Sequence, residues 1–218
     1  MTIQEMTEWF DIIQDKFDSP YFTDEEKELF LNRSQKDFIN SYVKSMQGVS
    51  VIEYPHQFTE MFQTLIEADI PVAVDVDGAI PLSSIEGQLS NNTGVLHVMN
   101  VASASSGNIN TAPNTYVKWV RHNDFYKFTR NVFKNPTLEA PVYTQSYKGI
   151  NIKPSVFSEP FKVTVLRNPQ DMSIANDISS EILDIYDSHN RIVSIALDYA
   201  GVTSRDQALL QLKQVTNG

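Results

Sequence analysis

The sequence predicts an α+β fold: a helical bundle from both chain ends with an inserted antiparallel β-rich module. Three observations carry that expectation. Apolar residues recur every three to four positions near both ends, the spacing of helices with one buried face. Between them the period falls to two, the spacing of half-buried strands. Charge divides the same way: residues 1–70 hold 14 acids against 5 bases, residues 71–175 hold 7 against 9, and residues 176–218 hold 6 against 3. These are nets of −9, +2 and −3 within the chain's −10. The expected organisation is N-terminal helices over 1–70, a β-rich insertion over 71–175 with a short helix near 123–133, and C-terminal helices over 176–218 that complete the bundle.

Thr2 followed by Glu5 is a capping-box pattern, and Thr23 followed by Glu26 is a second. After the first, Ile3, Met6, Phe10, Ile13 and Phe17 form one stripe, which Trp9 and Ile12 widen. Ser19-Pro20 stops that helix. The second helix is expected from about residue 24 to 45, with Leu29, Phe30, Leu31, Phe38, Ile39, Tyr42, Val43 and Met46 on its apolar side. A short linker between amphipathic helices predicts an antiparallel pair. Trp9, Phe10, Phe17, Phe30 and Phe38 are read as core. A third helix is expected over 55–68, with Pro55 in its first turn and Phe58, Met61, Phe62 and Leu65 inward.

Strands are expected over 72–76 and 95–101, with Asp77-Gly78 as a turn. Residues 102–114, ASASSGNINTAPN, read as a mobile loop of small residues, so that 95–101, the loop and 117–121 make an extended hairpin. Residues 117–143 read as strand, turn, short helix, Pro-bounded turn and strand. Asn123 or Asp124 caps the helix, whose apolar side carries Phe125, Phe128 and Val132. Residues 142–147 and 150–153 around Lys148-Gly149 give a hairpin signal, and 161–167 alternates as a strand. Residues 178–185 fit either a short strand or a helix start. Ser188 or Asp187 caps a helix through Ile192, Val193, Ala196 and Leu197, with Gly201 at its stop, and a last helix is expected over 203–212.

The chain has no Cys, which removes disulfides, thiolate nucleophiles and Cys metal sites together and suits a reducing cytoplasm. No stretch approaches the ~20 apolar residues of a membrane span, and the acidic start MTIQEMTEWF is not read as a secretory signal. His56, His97, His122 and His189 fall at no metal-ligand spacing, and His122 is read as a turn or cap residue. No nucleophile-elbow or phosphate-loop motif is present, and Asp75-Val76-Asp77-Gly78 is read as a turn, not a calcium loop. The expectation is therefore no catalytic residues, no metal and no cofactor. An acidic chain also lacks the Lys and Arg excess that drives nonspecific DNA binding.

One surface stands out. Lys127, Arg130 and Lys134 recur at helical spacing beside Trp119 and Tyr126. They form either a solvated basic face or an inter-subunit interface that meets an acidic neighbour.

The stretch VKWVRHNDFYKFTRNVFKNPTLEAPVY (117–143), with FTDEEKELFLNRSQKDFINSYV (22–43), FKVTVLRNP (161–169) and RIVSIALDYAGVTSRDQALLQL (191–212), resembles virion proteins of crAss-like tailed phages. Residues 72–114 depart from that pattern. The resemblance implies a head-to-tail connector, a neck or adaptor protein. Twelve copies would form a portal-associated ring between portal and tail, in contact with the portal and other neck or tail proteins. Packaged DNA would pass its lumen without sequence-specific binding. It implies a non-enzymatic structural protein, located in the virion after synthesis in the host cytoplasm, with no membrane partner. The alternative reading is a virion binding module whose β insertion attaches to a ligand or host surface.

Overall fold

Both capping boxes form. Thr2 N–H donates to Glu5 Oε2 at 2.7 Å, and Glu5 N–H returns to Thr2 Oγ1 at 3.2 Å. Thr23 and Glu26 repeat the exchange at 2.8 and 3.3 Å. Each pair satisfies helix-end donors that would otherwise lack partners, and they start α1 (Ile3–Lys16) and α2 (Asp24–Met46). The computed structural model describes residues 1–16, 21–46, 56–75, 77–90, 93–103, 115–131, 135–137, 140–146, 148–155 and 161–201. The expectations for 203–212, 104–114, Phe17, Val132 and Lys134 lie outside them. The fold is mixed α+β. Its described residues divide into two compact units, one within 1–48, 55–64 and 169–218, the other within 49–54 and 65–168.

The first unit holds α1, α2, α3 (His56–Met61) and α6 (Ser188–Tyr199). Helix α6 lies against both α1 and α2. Ile3, Met6 and Phe10 of α1, Leu31, Phe38 and Ile39 of α2, and Ile192, Val193, Ala196 and Leu197 of α6 are buried. Phe10 meets Phe22 edge-on at 6.1 Å and stacks with Phe30 at 6.4 Å, while Phe38, Tyr42 and Phe62 form a second aromatic group. Residues 178–185 are neither strand nor helix; among the described residues between 169 and 187 the one pairing is the bridge from Ser173 to Ile178. Helix α6 follows Asp187, whose backbone is left-handed and whose side chain makes no cap to a backbone N–H. It accepts from the Asn190 side chain instead. Gly201, at φ +75°, follows the helix as expected.

The second unit holds two four-stranded sheets. The first, in order β1-β8-β3-β4, joins β1 (Ile66–Val72), β8 (Phe161–Arg167), β3 (Val95–Ser103) and β4 (Thr115–Tyr116), all antiparallel. The second, in order β2-β7-β6-β5, joins β2 (Ala79–Pro81), β7 (Gly149–Lys153), β6 (Val142–Ser146) and β5 (Lys118–Trp119). Inward residues of both sheets, among them Val101, Phe161, Val163 and Val165 from one and Ile80, Tyr143, Ile150 and Ile152 from the other, share one core with Ile85 of α4 (Leu82–Glu86). Gly149 sits where no side chain fits: a Cβ there would lie 2.2 Å from the Ile80 carbonyl oxygen.

Several expectations are corrected. The third helix does not run over 55–68, and the first strand is not at 72–76. Helix α3 ends at Met61, and β1 covers Ile66–Val72. Pairing with β8 overrides the local helical spacing, starting from Ile66 opposite Leu166. Pro71 is tolerated because β1 is an edge strand. The inserted module is not wholly antiparallel, since β5 runs parallel to β6. Between them lies α5 (His122–Arg130), so the segment is a crossover, the connection that parallel neighbours require. Neither Asn123 nor Asp124 caps α5. The helix begins one residue earlier, after Arg121, with no side-chain cap.

Candidate interaction surface

Residues 115–120 carry the chain from the edge of one sheet to the edge of the other. Val117 is the pivot. Its side chain is buried, and its N–H donates to the Val101 carbonyl at 2.8 Å. Two further backbone donors hold the second sheet: Lys118 N–H to Pro141 O at 3.0 Å and Val120 N–H to Tyr143 O at 2.8 Å. With Val117 and Val120 turned in, Tyr116, Lys118 and Trp119 are turned out. Tyr116 is 60% exposed and Trp119 40%.

Helix α5 continues the same division. Phe125 is buried against Val120 and Val142, with Phe128 packed beside them. The outer face carries His122, Tyr126, Lys127 and Arg130, and Tyr126 is 57% exposed. Its ring stands edge-on to His122 at 5.7 Å. Lys127 Nζ lies 3.0 Å from Asp124 Oδ1, an exposed pair one turn apart. Lys127 and Arg130 fall in the last turn, where the helix dipole favours cations.

The structure thus brings Trp119, Tyr126, Lys127 and Arg130 onto one β5–α5 segment together with Lys118 and Arg121, the bases nearby in the sequence, and Tyr116 of β4 stands exposed just before it. Lys134 lies outside the described residues. Val117 and Val120 both turn in although they are three residues apart, so strict alternation, which would turn Trp119 inward with Val117, does not give this face.

A second exposed surface overturns an expectation. Trp9 and Ile12 are not core: they are 47% and 49% exposed, and Leu29 on α2 is 66% exposed. At about 100° per residue, Trp9 stands a right angle from Phe10, and Ile12 lies nearly opposite it. Glu5, Glu8 and Asp15 share that outer arc of α1 and are exposed.

Titratable groups gather nowhere in a catalytic pattern among the described residues, and no three His, Asp or Glu side chains there are placed to hold a metal. Burial lowers the His97 pKa. His189 is buried, with Nε2 2.7 Å from the Ile182 carbonyl and Nδ1 3.7 Å from the Asp184 carboxylate. Asp184 titrates below its ordinary value. Burial alone would raise it, but the charge of His189 and hydrogen bonds from the Met1 amino group and the His189 N–H outweigh that. Tyr186 is pushed up by its hydrogen bond to Glu60. Asp77-Gly78 is a turn, with Gly78 N–H donating to the Asp75 carbonyl at 2.8 Å. No described helix is long and apolar enough to cross a membrane. Comparison of the sequence with protein-family models and with curated proteins finds no match.

Proposed function

We propose that this chain is a structural protein of a tailed-phage particle that assembles as a head-to-tail connector ring between portal and tail. In this reading the first unit is a helical bundle completed from both chain ends, and the second is a module inserted into it. Contacts of α6 with α1 and α2 support the first half of that description. The observation that carries the reading is the outward face of β4, β5 and α5, where three large aromatic side chains stand exposed among Lys118, Arg121, Lys127 and Arg130. Monomeric surfaces scatter such residues singly; gathered on one segment they mark an interface. A closed ring needs two different complementary surfaces on each subunit, and the exposed acidic arc of α1 supplies a second. The chain's net charge of −10 suits a lumen along which DNA slides without adhering.

The partners in this reading are further copies of the chain, twelve by the resemblance, with the portal and neighbouring neck or tail proteins. The test is electron microscopy of the purified chain mixed with its own portal. A ring of added density on one face of the portal is the expected result. A portal that leaves the mixture bare, at concentrations where neck proteins saturate it, overturns the proposal.

A further inference from the structure

We infer that the outward face of β5 and α5 docks onto the outer arc of α1 of a second copy of this chain, with Glu8, Trp9 and Ile12 at the centre of the contact. This rests on the ring reading and names the surface each copy offers its neighbour. Two observations point to this occupant. The first is charge. Residues 116–130 carry Lys118, Arg121, Lys127 and Arg130 against Asp124, a net of +3, and the outer arc of α1 carries Glu5, Glu8 and Asp15, a net of −3, while Asp11 is held by Lys27. The second is exposed apolar area on both sides. Trp9 and Ile12 on one face and Trp119 and Tyr126 on the other are each 40% exposed or more. Charges of opposite sign around aromatic anchors are the usual anatomy of a specific interface.

Single-stranded nucleic acid is the other chemistry that a basic, aromatic face attracts. It is disfavoured here because the chain as a whole repels polyanions, and because it would leave the Trp9–Ile12 surface of α1 uncovered. The two faces are different, so each contact leaves one of each free. That is the condition for a ring rather than a closed dimer.

The test is sedimentation velocity of the full chain at low and high salt, with charge changes on each side. Lys127→Glu with Arg130→Glu reverses one face, and Gln4→Lys with Glu8→Lys neutralises the other without touching the Thr2–Glu5 cap. Each pair weakens self-association about tenfold or more, high salt weakens the wild type, and mixing the two variants restores association. Circular dichroism confirms that each variant is folded. A wild type that stays monomeric at about 100 μM in low salt overturns the inference, as does association indifferent to both changes. So does tight binding of a 20-nucleotide single strand that the Lys127→Glu, Arg130→Glu variant loses. If the charge variants still form rings with the portal, the docking fails while the connector reading stands. A wild type that forms no ring with the portal fails the connector reading itself.

Discussion

The two units of this molecule are filled by different chemistry. Between the sheets the buried side chains are chiefly Val and Ile, with Thr144 and Arg167 the buried polar ones of that unit among the described residues. The helical unit buries Gln14, Lys27, Ser34, Gln35, Ser188 and His189. The contrast follows from backbone satisfaction. Strands pair their own N–H and C=O groups in ladders, so their side chains can be dry. The helical unit closes over residues 169–187, which lack a ladder, and there α2 supplies the partners. Asn32 exchanges hydrogen bonds with the Met172 backbone at 2.7 and 3.0 Å, Gln35 donates to the Gln170 carbonyl, and Glu28 accepts from Ile174 N–H. Among the described residues of the β unit, half-buried Glu67 does similar work, pairing with the buried Arg167 at 3.3 Å and accepting from Ser90 N–H.

Substitutions can break this contrast from either side. The largest effect belongs to the dry unit. Phe161→Ala empties a fully buried site between the sheets and is expected to cost about 3–5 kcal/mol in urea denaturation; a loss below about 1 kcal/mol would show that the sheets collapse onto the gap. Next comes Asn32→Ala, which strands a backbone donor and acceptor of Met172 at a cost of about 2 kcal/mol. Asn32→Asp keeps the acceptor and loses the donor, so it falls between. Hydrogen exchange should quicken at the Met172 amide and stay unchanged in β8.

Acid sharpens the comparison further. The folded Asp184 carboxyl holds its proton less tightly than the ordinary 3.8 of the unfolded chain. The unfolded state therefore binds more protons as pH falls, and the stability Asp184 contributes is whole above that value and lost through the folded one. Wild type should melt above Asp184→Asn near neutral pH, and the gap should close as pH drops below about 4. A gap that widens in acid contradicts the assignment. The smallest effect is at the proposed interface. Lys127→Ala breaks only an exposed pair with Asp124 and should change monomer stability by less than about 0.5 kcal/mol.

Elements whose signals are local were legible in the sequence. Both capping boxes, the β6–β7 hairpin and the alternation of β8 needed no distant partner to be read. What was missed depends on partners far along the chain. Residues 55–68 carry helical spacing, yet β8 claims them from Ile66, and the bulge between Glu67 and Ile70, with Asp69 at φ 57°, hides the period of two. The three-residue β2 and five-residue α4 are shorter than any periodic window. Nothing in the composition of β5 announces that it lies parallel to β6. The candidate surface was half legible. Its basic residues follow from helical spacing, whereas the exposed Trp119 breaks the alternation that starts at Val117, and the exposed Trp9 on α1 is masked by reading every aromatic of that helix as core.

The measurement that tests the account most directly is a reconstruction of the neck of purified virions by electron cryomicroscopy. The expected result is a ring of this chain between portal and tail, with the β5–α5 face of each copy against α1 of its neighbour. A neck without this chain, or a ring in which Trp119, Tyr126 and Arg130 face solvent, contradicts it.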